Sequence, residues 1–151
     1  MKKVKTDELK TLTSTTKTRV RFGEIDAMLI VWHGNYIKYL EDGRETFGYK
    51  YGLNYQYICE QGYILPVVDL KVQYIKSASL DDVIRIETTY IASPSAKMIF
   101  SYKIYRDNDS TLLTQAQTTQ LFQTNDKKLV IDKPPFIEEW EKRHKIFIPK
   151  E

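Results

Sequence analysis

Two periodicities divide the chain. Between Asn35 and about Lys50, the residues Tyr36, Leu40, Gly43, Phe47 and Tyr51 recur at steps of 4, 3, 4 and 4. That spacing draws one stripe on a helix. Gly34 or Asn35 can cap its start. Gly43 within the stripe costs about 1 kcal/mol against Ala. Such a glycine is tolerated where another backbone must come close, as when a sheet wraps the helix.

Beyond Gly52 the period changes to 2. Residues 64–76 read as a strand with Pro66 near its start. In 83–91, Ile84, Ile86, Thr88 and Tyr90 share one face; in 97–105, Met98, Phe100, Tyr102 and Ile104 do so. In 112–123 the set is Leu112, Thr114, Ala116, Thr118 and Phe122. The connections A-S-P-S-A and R-D-N-D-S are rich in turn formers, and strands joined so tightly run antiparallel. Ahead of the helix, Arg19 to Phe22 reads as a short strand and 24–33 as a loop. The tail P-P-F-I-E-E-W-E-K-R-H reads as a short helix opened by proline. Residues 1–16, rich in Lys and Thr, read as a flexible N-terminal extension, and 17–151 as a single domain. The expected fold is α+β: one central helix, then a four-stranded antiparallel meander, with the early strand completing the sheet. Two free sheet edges make a homo-oligomer the expected state.

Composition narrows the class. The 151 residues suit one domain, and 42% hydrophobic content supports a core. The 11 Tyr point to rings packed in a sheet or an interface with their hydroxyls wet. The Tyr-rich stretch from Tyr49 to Tyr63 either shapes a pocket or packs. A net charge of +3 with dispersed Lys and Arg argues against nucleic acid as a partner, but suits a small anionic ligand. Cys59 is the only cysteine, which excludes an internal disulfide and fits a cytoplasmic setting. The Lys-rich start lacks the apolar stretch of a signal peptide, and the uncharged run Ala27–Trp32 is too short to span a bilayer.

The candidate chemistry lies in D-A-M-L-I-V-W-H-G-N-Y-I-K-Y-L-E, Asp26 to Glu41. An acid beside a helix N-terminus can attack a carbonyl, or direct water at it, while the helix N–H groups polarise the oxygen. An acid in a loop can equally cap a turn. With His33 and His144 as the only histidines, no cluster has zinc spacing, so no metal and no cofactor is expected. There is no phosphate-binding glycine loop and no G-x-S-x-G.

Asp26, Val31, Trp32, His33, Asn35, Tyr36 and Glu41 stand in the order of a motif that resembles the hotdog-fold thioesterases, in particular the 4-hydroxybenzoyl-CoA thioesterase-like group. Glu41 and Arg44 also match an E-x-x-R pattern like that of the family's helix. S-L-D-D-V-I-R-I-E-T, Ser79 to Thr88, is similar to its strand start after the helix. H-x-N, His33 and Asn35, also resembles part of the acyl-ACP thioesterase motif. The resemblance covers about residues 18–125. It implies a hotdog fold, a five-stranded antiparallel sheet wrapped around one long helix. It implies hydrolysis of an acyl thioester on CoA, or alternatively on acyl carrier protein, by a homodimer or dimer of dimers with sites at subunit interfaces. Asp26 would be the catalytic carboxylate, as general base or as nucleophile. The His33 backbone N–H would meet the thioester oxygen, and its imidazole could reach Asp26 or the substrate. Trp32, Asn35, Tyr36 and, from the neighbouring subunit, Ser77 would bind substrate. Glu41 is a second candidate carboxylate, or else a partner of Arg44 at i, i+3. The family pattern has Gly three residues after the acid where this chain has Leu29, which would re-route the loop or fill the acyl pocket. A non-catalytic acyl-CoA-binding protein is the alternative that Leu29 favours.

Overall fold

The computed structural model describes residues 12–146. A five-stranded antiparallel sheet is built from β1 (Leu12–Arg19), β3 (Val67–Tyr74), β4 (Val83–Ile91), β5 (Lys97–Arg106) and β6 (Thr111–Leu121). Its spatial order is β1-β4-β5-β6-β3. The two-residue strands β2 (Tyr63–Ile64) and β7 (Gln123–Thr124) pair beside it. The helix α1 (Asn35–Tyr51) lies across the concave face, with α2 (Tyr55–Glu60) after it and α3 (Pro135–Arg143) near the end. The α+β class and the helix wrapped by a sheet are as the sequence predicts.

The alternation along β4 and β5 is realised in full. Ile84, Ile86, Thr88 and Tyr90 face inward, as do Met98, Phe100, Tyr102 and Ile104. From above, Tyr36, Leu40, Gly43 and Phe47 close the core, with Phe47 5.1 Å from the Phe100 ring. A Cβ at Gly43 would strike Thr88 Oγ1 and stand 3.0 Å from Ile86 Cγ2. The glycine is therefore what lets the helix settle on β4. C-terminally, Gly52 at φ 78 ends α1 in the left-handed conformation usual for that position.

Four expectations need correction. The early strand is Leu12–Arg19, not Arg19–Phe22, so residues 12–16 belong to the sheet; residues 1–11 lie outside the described residues. Its small, β-branched Thr and Ser positions pair with all of β4 from Leu12↔Tyr90 to Arg19↔Val83. Lacking a hydrophobic alternation, it reads as a polar tail. Secondly, β3 does not begin a meander. It crosses over to pair with β6 at the far edge, and β1 takes the place beside β4. Thirdly, the inward residue near the start of β6 is Leu113, not Leu112. A register break between Ile104 and Tyr105 on β5 leaves Leu113 unpaired on β6 and turns it into the core. Lastly, the strand read over 64–76 is split around Pro66 into β2 and β3, and ahead of it stands α2, which Asn54 caps by accepting from Tyr57 N at 2.8 Å.

Candidate active site

Residues 20–34 run from the end of β1 to the start of α1. They open with a single 3-10 turn, Phe22–Glu24. Ile25 and Val31 then bridge in antiparallel fashion. Asp26 N donates to Ile30 O at 2.8 Å, and Leu29 N to Asp26 O at 3.0 Å. This is a tight hairpin tip with Leu29 at φ 64, the left-handed position that closes such three-residue loops and favours Gly. Leu29 adopts the left-handed conformation in which glycine is favoured, and its side chain is 61% exposed in this chain. Holding it there costs about 1–2 kcal/mol.

Asp26 is half-buried at this tip. Its Oδ1 accepts from Met28 N at 2.8 Å, so the turn-capping role is present. Its Oδ2 accepts no hydrogen bond among the described residues. Along the same loop, Phe22, Met28, Leu29 and Trp32 are exposed apolar residues.

The loop is clamped from three directions. Trp32 N donates to Glu24 O at 3.0 Å, and Asn35 Nδ2 donates to the same oxygen at 2.8 Å. Tyr39 Oη donates to Glu24 Oε1 at 3.0 Å, and burial with that carboxylate pushes its hydroxyl pKa up. Val31 N donates to Ala78 O, and Ala78 N to Tyr36 Oη at 3.0 Å. Tyr74 Oη donates to His33 O at 2.8 Å. Composition gives no hint of Tyr39, Tyr74 or Ala78 as supports, since each is joined to the loop only by the fold, nor of Glu24 as the residue within the loop on which Trp32, Asn35 and Tyr39 converge.

Helix α1 starts at Asn35 with Gly34 as its N-cap. Asn35 is thus the first helical residue and no cap; its side chain reaches back to Glu24. The Trp32 ring lies over Gly34 so closely that a Cβ there would collide with it. Among the described residues, neither His33 N nor Gly34 N donates to any group. Two backbone N–H groups at the positive end of a 17-residue helix, in the segment that carries Asp26, are therefore without a partner among the described residues.

The remaining candidates divide. The His33 imidazole is exposed, packs 5.0 Å from the Trp32 ring and makes no hydrogen bond to Asp26. Trp32 is 51% exposed beside the site. Tyr36 is 2% exposed and spends its hydroxyl on Ala78 N, so it supports the loop and does not face a ligand in this chain. Ser77 is exposed next to Ala78, beside the clamp. Glu41 is exposed further along α1 and does not pair with Arg44. Arg44 donates instead to Tyr55 Oη and Tyr102 Oη, at 3.3 and 3.1 Å. Asp81, at φ 66, and Asp82, which accepts from Ser79 N, shape the turn into β4. Arg85 is paired with Asp107, and Arg106 with Asp82 and Asp109.

Residues 20–140 match the model of the thioesterase-like superfamily. YneP of Bacillus subtilis (strain 168) is 30% identical over 92 residues, which are 61% of this chain and 67% of that protein. The 4-hydroxybenzoyl-CoA thioesterase of Pseudomonas sp. (strain CBS-3) is 29% identical over 118 residues, 74% of this chain and 84% of its own. Among solved structures, a DHNA-CoA thioesterase from Staphylococcus aureus superposes with a TM-score of 0.78 at 26% identity, covering 87% of this chain and 89% of that one. An aspartate-to-asparagine mutant of 4-hydroxybenzoyl CoA thioesterase, in complex with 4-hydroxybenzoyl CoA, has a TM-score of 0.74 at 26% identity over 85% of this chain and 97% of its own.

Proposed function

The chain belongs to the thioesterase-like superfamily and is a thioester hydrolase; from that premise we propose that it cleaves acyl-CoA to the free acid and CoA, with Asp26 as its catalytic carboxylate. The observation that carries this reading is the pairing of Asp26, one oxygen unengaged, with the open N–H groups of His33 and Gly34 on the same clamped loop. The thioester oxygen accepts from those N–H groups, which hold the negative charge that develops as the carbonyl is attacked. Asp26 takes a proton from water as the water oxygen bonds to the carbonyl carbon. The C–S bond then breaks, and the proton passes to the leaving thiolate. Direct attack by Asp26, through a mixed anhydride that water opens, uses the same geometry. The complex of an aspartate-to-asparagine mutant of a relative with its thioester supports a carboxylate in this role. His33 contributes through its backbone, and Trp32 and Ser77 border the acyl group.

The occupied form is a homodimer. Among the described residues strand β3 pairs on one side only, and Val67, Val68, Leu70 and Tyr74 stand exposed along it, with Ile75 just beyond. An unpaired edge of that composition is covered in a stable protein, and a second copy covers it by symmetry. Light scattering that returned a monomer mass at micromolar concentration would refute this. Among the described residues no helix is long and apolar enough to cross a membrane. The exposed free thiol of Cys59 suits the cytoplasm.

The test is thiol release with DTNB over aliphatic and aromatic acyl-CoAs, with Asp26→Asn beside wild type. Turnover by wild type and a loss of at least 100-fold in the variant are expected. Wild-type kcat in Asp26→Asn would remove Asp26 from the chemistry. Release from acyl carrier protein thioesters but not from CoA esters would move the carrier assignment. Tight acyl-CoA binding without thiol release would favour the alternative of a binding-only protein.

A further inference from the structure

A second cavity, of about 260 Å³, lies between the C-terminal half of α1, the helix α2 and the sheet. Neither Asp26 nor His33 lines it. Arg44, one of its walls, is nine residues beyond Asn35, about 14 Å along the helix at about 1.5 Å per residue. Leu53, Ile58, Leu65, Met98 and Phe100 form its apolar side. Its polar side is a cluster of Arg44, Tyr55 and Gln120.

Donor and acceptor counts within that cluster leave a specific vacancy. Tyr55 Oη accepts from Arg44 Nε at 3.3 Å and from Gln120 Nε2 at 3.3 Å. Gln120 Nε2 also donates to Leu65 O at 2.9 Å, which fixes the amide. With its oxygen twice engaged, the Tyr55 hydroxyl proton has no acceptor among the described residues. Arg44 Nη1 is spent on Tyr102 Oη at 3.1 Å, and Nη2 on nothing described. Both partners of the guanidinium are neutral phenols, so its charge meets no carboxylate among the described residues. Glu45 also borders the cavity but is exposed, where water and salt screen it. The site thus offers a half-buried cation and a free O–H beside an apolar wall.

We propose that this cavity binds a carboxylic acid with an apolar body, its carboxylate taken by Arg44 Nη2 and the Tyr55 hydroxyl. At about 30 Å³ per water the space holds about eight or nine such volumes, which fits a ligand of about eight to ten heavy atoms. A thioester presents no anion there, whereas the acid released from it does. The site therefore separates product from substrate, and the identity of that acid as the enzyme's own product rests on the proposed hydrolysis. The binding itself does not.

The test is calorimetric titration of wild type with octanoate, benzoate and octan-1-ol in the absence of any CoA ester. Octanoate is expected to bind at least tenfold more tightly than octanol. Arg44→Met should weaken octanoate at least tenfold, and Tyr55→Phe severalfold. Tyr55 is exposed, so its variant keeps the fold if Arg44→Met does not. Asp26→Asn should bind octanoate as wild type does, which separates this site from the catalytic one. Equal affinity for octanoate and octanol would overturn the proposal, as would unchanged affinity in Tyr55→Phe, or loss of binding in Asp26→Asn. An order of acid affinities that follows the order of acyl-CoA turnover supports the product acid as ligand. An unrelated order removes that identity and leaves another carboxylic acid. Absence of any hydrolysis would defeat the catalytic reading while leaving the binding result standing.

Discussion

Replacing Lys133 by methionine should cost this protein a large share of its stability without touching the chemistry. Lys133 Nζ lies 2.6 Å from Glu141 Oε1, and the two side chains are only 4% and 3% exposed. The other carboxylate oxygen accepts from Tyr90 Oη at 3.4 Å. This pair fixes the segment before α3 to α3 itself, whose Trp140 Nε1 donates to Tyr51 O at the end of α1. Methionine keeps most of the lysine stem and removes the charge, leaving Glu141 buried and ionised. Breaking a buried pair from one side costs about 3–5 kcal/mol. With a urea slope of about 2 kcal/mol per molar, the midpoint should fall by about 1.5–2.5 M. Burial already raises the Glu141 pKa, and Lys133 is the largest influence pulling it back down. Without Lys133 the folded value rises further above the unfolded one. A carboxyl so shifted favours the fold below the unfolded pKa, near 4.5, and loses that contribution as pH rises through the folded pKa. The deficit of Lys133→Met should therefore be largest at neutral pH and shrink toward pH 4.5. The double variant Lys133→Met/Glu141→Leu should recover most of the loss. Urea melts between pH 4.5 and 8 decide the matter. A single variant within 1 kcal/mol of wild type, or a double variant no better than the single, would refute the reasoning. Turnover at 20 °C should be unchanged throughout, since the pair packs at the far end of α1 from Asp26.

Two further substitutions probe the loop. Tyr36→Phe strips the acceptor from the Ala78 N–H and should cost about 1–3 kcal/mol in urea melts; kcat should fall with it as the clamp on Val31 loosens, and full stability with wild-type kcat would contradict the supporting role. Leu29→Gly relieves the left-handed strain at φ 64, and after the entropy cost of glycine it should raise stability by up to about 1 kcal/mol. A variant less stable than wild type by more than 1 kcal/mol would show that the Leu29 side chain is held by contacts.

What the sequence determined by itself was the set of elements whose pattern is repeated and strong. Helix α1 and strands β4 and β5 are legible because each patterns against one continuous core, and Gly43 is legible because a bulky stripe is broken where the helix meets the side chains of Thr88 and Ile86. The order from Asp26 to Tyr36 was legible as a motif, since neighbours in the chain remain neighbours at a loop and a helix start. Tertiary structure alone decided the rest. The strand β1 has no hydrophobic alternation of its own and exists because β4 offers it a complete ladder. The crossover of β3 to the far side of β6 leaves no mark in composition, because either edge would satisfy its hydrogen bonds. Glu24 and Ala78 hold the Asp26 loop through backbone atoms, which every residue carries and no sequence pattern distinguishes. Arg44 was read beside Glu41 at helical spacing, yet it turns to two tyrosines brought from α2 and β5. Local spacing makes a contact possible, but the fold decides which contact is made: Tyr55 and Tyr102 are brought within hydrogen-bond reach of Arg44, while Glu41 stays exposed.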